Sequence, residues 1–369
     1  MELKKVNRNR IFRYILEREE VSMADISRDL RISLPTVTQH VGRLKDAGLL
    51  LDGGLCESTG GRRAKAIACN IRATVGCGIN ITHRDVDFVL VDLVGTVIDY
   101  TKLSVPCELN GDYLEMLRST LLQMIQRSGL PAAAVLGVGI SLPAIIDGGK
   151  RICDTAFDFP VPPHFQEDLR TCLPFQLDFF NDASSGGYAE FWHCKDAENL
   201  FYLSLSGSVG GAVRIHRRAY DGDDFRSAEI GHTTIVPGGR LCYCGQQGCM
   251  NAYCSSNSLS AQGGGSLETF FQRLEAGDPA CAAKWDEYLG YLAIAINNIR
   301  LMYDCDVILG GSVARYIGRY VPELNRRLAQ RDSFHRAGTY IRACRYDSES
   351  SAVGAALIFV DRFIDQIGA

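Results

Sequence analysis

The sequence contains no run of about 18 uncharged apolar residues, so no helix is expected to span a membrane. Its opening residues, MELKKVNRNR, are basic, but no apolar signal core follows them. It also lacks the pattern of a small secreted domain stapled by disulfides. The 14 cysteines are scattered over 369 residues, except for one cluster at 242–254. These absences predict a cytoplasmic protein, with no membrane partner, whose cysteines are mostly reduced and buried. The cluster has to be judged separately, as a metal site. A hydrophobic fraction of 46% and a charged fraction of 22% are those of an ordinary globular chain, long enough for two or three domains.

Charge is unevenly spread. Residues 1–70 hold 13 Lys/Arg against 9 Asp/Glu, while the rest holds 26 against 34. A basic head on an acidic body suggests that the head meets a polyanion.

The head reads as three helices. Residues 7–18 place Ile11, Tyr14, Ile15 and Arg18 at helical spacing. SMADISRDL opens on Ser22, a good N-cap, with Asp25 three residues on, close to a capping box. SLPTVTQHVGRLKDAG opens on Ser33, tolerates Pro35 in its first turn and stops at Gly48. Its expected core stripe is Leu34, Val37, Val41 and Leu44. Its expected outer face is Thr36, Gln39, His40 and Arg43. LLLDGGLCES and AKAIACN then read as two short strands. Helices, a tight turn and a hairpin make a winged helix-turn-helix, whose third helix enters the DNA major groove. The four outer-face side chains are therefore candidate contacts to bases and phosphates. In the connecting stretch STGGRRAKAIACN, two glycines permit close approach to the backbone. Arg62 and Arg63 suit the narrow minor groove. The plain alternative is a tether in solvent.

From residue 75 the pattern changes to three strands, then helix and strand in alternation, twice over. That predicts two α/β lobes with a cleft between them, where ligands bind at strand ends. CYCGQQGC brings Cys242, Cys244 and Cys249 within eight residues, and its glycines allow a tight fold. With a histidine ten residues upstream, His232, the set matches a closed Cys3His structural zinc site, which leaves no open position for catalysis. Cys254 is the competing fourth ligand.

The segments GVGISLPAIID, NDASSGGYAEFW, AEIGHTTIVPGGRLCYCGQQGCMNAY and VILGGSVA resemble the ROK family (repressor, open reading frame, kinase). With the head, the resemblance is to its repressor branch. It implies an N-terminal winged helix-turn-helix over 1–57 and a joining segment over 58–72. A two-lobed actin-like (ribonuclease H-like) α/β body follows over 73–369, with its zinc motif at 232–249. The family pattern favours His232 over Cys254 as zinc ligand. It implies a sugar site at Asn181, Asp182, Glu229 and His232, the last holding zinc through one nitrogen and a sugar hydroxyl through the other. The family's sugar-binding Glu after GC is replaced here by Asn251, whose amide is expected to hydrogen-bond the sugar in its place. Asp182 stands at the position of the kinase general base.

The family's first phosphate loop, D-x-G-G-T-K, corresponds to INITHRDV, in which Asn80 replaces the Asp and both glycines are gone. The second loop keeps Gly207 and Gly210 in SGSVG without the Thr. The expectation is a sugar-responsive transcriptional regulator, most often a repressor in this branch, without catalysis. Its partners would be a double-stranded DNA operator, a sugar or sugar-phosphate effector, and a second copy in a homodimer or homotetramer. An active sugar kinase with a fused head, and a regulator answering to a protein partner, are the alternatives.

Overall fold

A computed structural model describes residues 2–55, 65–148, 151–155, 159, 161–334 and 339–367. The head is built from α1 (Glu2–Leu16), α2 (Met23–Leu30), α3 (Leu34–Asp46) and a hairpin of β1 (Leu50–Leu55) and β2 (Lys65–Cys69). Part of the expected joining segment is therefore the second strand of the wing. Ser22 forms the full capping box: its hydroxyl accepts from the Asp25 amide at 3.1 Å, and the Asp25 carboxylate accepts from the Ser22 amide at 3.3 Å. Arg31 ends α2 in the left-handed region and turns the chain into α3. Ile11, Phe12, Ile15, Ile26, Val37 and Val41 form the core.

The phase of α3 corrects the sequence reading at two positions. His40 is 2% exposed and lies inside, whereas Leu34 is 49% exposed. At 100° per residue the two flank the Val37–Leu44 stripe on opposite sides. The fold covers the His40 flank and leaves Leu34 out at the first turn.

Lobe 1 follows with β3 (Val75–Ile81), β4 (Val86–Val91), β5 (Val97–Leu103), α4 (Gly111–Arg127), β6 (Val135–Leu142), β7 (Ala144–Ile146), β8 (Ile152–Thr155), α5 (Phe165–Cys172), β9 (Leu177–Asn181) and α6 (Asp182–His193). Its sheet runs β5-β4-β3-β6-β9, with β3, β6 and β9 parallel. Lobe 2 has β10 (Leu200–Leu205), β11 (Val209–Ile215), β12 (Arg218–Ala219), α7 (Asn251–Cys254), α8 (Ser256–Ser260), α9 (Leu267–Glu275), α10 (Pro279–Tyr303), β13 (Asp306–Gly310), α11 (Ala314–Ile317), α12 (Val321–Ala329) and β14 (Ile341–Ala343). Its sheet, β12-β11-β10-β13-β14, repeats the strand order of the first. The two-fold repetition expected from the sequence is thus present strand for strand.

The last helix, α13 (Ser350–Gln366), returns to lobe 1. It lies so close that a Cβ on Gly78 of β3 would stand 1.8 Å from the Ala352 carbonyl oxygen. One on Gly354 would stand 1.7 Å from that of Ser185 in α6. Only glycine fits at these crossings, and α6 and α13 are locked together. The far half of α13 carries the head: Arg13 pairs with Asp365 at 2.5 Å, and Asn9 donates to the Ile364 carbonyl. No helix of the described residues is long and apolar enough to cross a membrane.

Candidate functional site

On the head, Gln39 and Arg43 stand exposed on one side of α3. Thr36 is half-buried, and its hydroxyl lies 2.8 Å from that of Ser33. His40 is removed from the candidate DNA face by its burial. Arg62 and Arg63 lie outside the described residues.

In the cleft, the expected residues divide. Asn181 caps α6, accepting from the Ser184 amide at 2.9 Å, and its side-chain amide donates to the Ala144 carbonyl at 3.1 Å. Asn251 is buried, and its side-chain oxygen accepts from the Val209 amide at 2.7 Å. Both asparagines thus brace the cleft walls through these bonds, and each amide keeps further donor and acceptor capacity. Asp182, the first residue of α6, is half-buried. Burial pushes its carboxyl above the ordinary value, against the pull of the Ala183 amide and of His83. Glu229 reaches solvent, yet enclosure by the cleft raises its carboxyl too, and the charge of Asp182 adds to this. The charge of Asp182 thus reaches Glu229 across the cleft. The two carboxylates form a hydrogen-bonding edge suited to hydroxyls.

Beside them, the side-chain ligand atoms of His232, Cys242, Cys244 and Cys249 all lie within 4.8 Å of one another. Cys244 and Cys249 sulfurs are 3.8 Å apart, and His232 Nδ1 is 3.9 Å from Cys242. These are close to the edges of a tetrahedron around an ion with bonds of about 2.0–2.3 Å. Burial and the neighbouring thiols push the Cys249 thiol up to about 12. A cation at the centre would reverse that by stabilising thiolates. The cluster can hold a metal ion. Cys254 is not in it; it packs in the lobe 2 core.

Reading by motif missed Tyr243, whose hydroxyl lies 3.1 Å from His232 Nε2, the nitrogen expected to face the sugar. His83, in the segment INITHRDV, also lies close enough to Asp182 to favour its charge. Neither contact has a signature in local spacing.

A profile of the ROK family matches residues 76–362, and one described as a helix-turn-helix domain matches residues 7–52. The chain belongs to the ROK family. Among curated ROK relatives, the xylose repressor of Bacillus subtilis (strain 168) is 26% identical over 99% of this chain and 97% of its own. The N-acetylmannosamine kinase of Vibrio cholerae is 25% identical over 72% of this chain and 92% of its own. Among solved structures, a ROK family transcriptional regulator, a homologue of the Escherichia coli MLC protein, matches all of this chain and 98% of its own. Its TM-score is 0.76 and its identity 19%. The ROK glucokinase of Streptomyces griseus, solved with glucose and AMPPNP, matches 77% of this chain and 98% of its own, with a TM-score of 0.64 at 20% identity.

Proposed function

We propose that this ROK protein is a sugar-responsive transcriptional repressor that does no chemistry. The observation that carries the reading is the fusion itself. A helix-turn-helix head with Gln39 and Arg43 exposed is joined to a carboxylate-lined cleft, and the likeness to the xylose repressor runs through both. Gln39 reads a base edge, and Arg43 and Thr36 hold phosphates and set register. Arg62 and Arg63 contact the minor groove. Two copies, joined through the body, read two half-sites about 34 Å or a multiple of it apart. The body boundary falls near residue 73.

Asp182 and Glu229 receive the effector's hydroxyls. Zinc is the ion best suited to His232, Cys242, Cys244 and Cys249. Its part is structural: it ties the segment bearing Glu229 and His232 to the loop at 242–249. Asn181 and Asn251 hold the walls to which the contacts are attached.

The kinase reading is opposed by the hairpin at 82–85. A phosphate cradle needs backbone N–H groups aimed outward. Here the amides of Arg84 and Asp85 both point to the Thr82 hydroxyl, and that of Thr82 to the Asp85 carbonyl. Asn251 takes the Val209 amide at the second turn in the same way. Thermal denaturation of the full chain with D-xylose, other monosaccharides and their phosphates, followed by release of bound operator DNA, tests the reading. The effector should stabilise by about 2.7 kcal/mol at 100 times its dissociation constant and should dissociate the DNA. Turnover of ATP dependent on a sugar would overturn it.

A further inference from the structure

Two carboxylates read only the hydroxyl edge of a sugar. A pyranose also presents a face of C–H groups, and such faces pack on aromatic rings. Of the exposed aromatics near Glu229, Tyr243 is engaged with His232 through its hydroxyl, whereas Phe225 offers a purely apolar ring. Phe225 lies four residues before Glu229, in the loop that leads to it, and is 37% exposed. Its neighbour Arg226 acts on the Glu229 carboxyl.

Phe225 adopts φ +57°, a conformation that bulky residues rarely take. Ala228 at φ +61° and Gly222 at φ +77° bend the same loop, and the Ser227 amide ties it to the Asp221 carbonyl at 3.0 Å. Residues held in sparsely populated regions persist where the surroundings fix them, and they collect at binding sites. The ring lies against lobe 1: a Cβ on Gly148 would stand 3.4 Å from its Cζ. Gly148 follows β7, whose Ala144 carbonyl accepts from Asn181, the residue before Asp182. Phe225 thus bridges the two lobes, four residues before Glu229 on one side and against Gly148, just past β7, on the other.

We infer that Phe225 is the specificity-determining platform of the effector site. Its ring packs against the C–H face of a pyranose while Asp182 and Glu229 take the hydroxyls. This rests on the sugar reading above and narrows it. A flat platform accepts an aldopyranose whose hydroxyls are equatorial, because its faces are free of oxygen. It disfavours one with an axial hydroxyl on the packed face. The former class includes D-xylose and D-glucose, the latter D-ribose.

The test is calorimetric titration of the full-length protein with D-xylose, D-glucose and D-ribose. Phe225→Tyr should keep both affinity and preference. Phe225→Gly should weaken binding of the preferred sugar at least tenfold and flatten the preference over D-ribose. Because glycine accepts φ +57° freely, the same variant should melt no lower than wild type without ligand. A purely structural phenylalanine predicts the opposite pairing, a lower melting temperature with preference unchanged, and that result overturns the inference. So does a Phe225→Gly variant that binds the sugars like wild type. If wild type binds none of the three nor any other monosaccharide, the sugar reading itself falls, and this inference with it.

Discussion

On the head, Gln39 and Arg43 stand in water above a core of Ile11, Phe12, Ile15 and Val37. In the cleft, burial raises the cost of charge on Asp182 and on Glu229, and the charge of Asp182 adds to the cost at Glu229, beside three thiols crowded around one imidazole. The head keeps these proposed recognition groups solvated, so they carry no burial cost in the free protein. The cleft holds groups that are unfavourable by themselves and are relieved by what binds there. The stability of the body should therefore depend strongly on metal and effector, and that of the head should not. Substitutions can break this contrast or sharpen it.

The largest effect should come from the metal cluster. Cys244→Ser should lose one equivalent of zinc by elemental analysis. Binding of structural zinc to isolated fingers is worth roughly 10–16 kcal/mol. A lobe with its own large core should lose less, but still several degrees of melting temperature. A metal-free wild type that melts like the metal-loaded protein would erase the contrast.

Next is Asp182→Asn, which separates stability from function. A carboxyl whose folded value lies above its unfolded one binds more protons in the folded state. Its contribution to stability is therefore greatest below the ordinary carboxylate range. It is lost as pH rises through the raised value. At neutral pH Asp182 should be destabilising, so the Asn variant should melt higher without ligand and lose the extra stability gained on acidification. Its effector binding should weaken by about 1.5–3 kcal/mol, the range for hydrogen bonds to a charged group. Lower stability together with intact sugar binding would mean that Asp182 is a brace, like its neighbour.

What the sequence could convey follows the same division. The cysteine cluster was legible because its three thiols lie within eight residues and the glycines between them announce a tight fold. The capping box at Ser22 and the repeated strand order were legible for the same local reason. Asn181 and Asn251 were not, because the atoms that engage them, the Ala144 carbonyl and the Val209 amide, lie 37 and 42 residues away. His40 was misplaced because it flanks the apolar stripe of α3, and only the packing of the other helices decides which flank is covered. Phe225 carries no sequence signal, since its meaning lies in a backbone angle and in a glycine of the other lobe.

On the head the expected effects are smaller and fall on affinity. Gln39→Ala should relax discrimination at one base pair, by about 1–3 kcal/mol, without changing the melting temperature. Arg43→Ala should weaken all sequences alike and lower the slope of log affinity against log salt by about 0.9. His40→Ala should do neither: it should destabilise the head while leaving base preference intact. Specificity lost on replacing His40, with the fold unharmed, would restore it to the DNA face.

The smallest effect concerns the joint between the two regions. Asp182 begins α6, and Tyr188, less than two turns on, donates to Asp361 of α13 at 2.8 Å. Asp361 and Asp365 in turn hold Arg13 of the head, at 3.7 and 2.5 Å. Because glycine contacts lock α6 to α13, a shift of α6 on effector binding must move the surface on which α1 rests. Arg13 is partly exposed, and an exposed ion pair is worth at most about 1 kcal/mol, a factor of roughly five. Arg13→Gln should therefore leave effector affinity of the free protein and operator affinity without effector almost unchanged. The coupling between them is what should fall, by up to that factor, as a ratio of operator affinities with and without saturating effector. Tyr188→Phe should act in the same direction, and the double variant should add little to either, since both interrupt one chain of contacts. A ratio unchanged in all three would mean that the effector reaches the head by another route, through the wing or through the second copy.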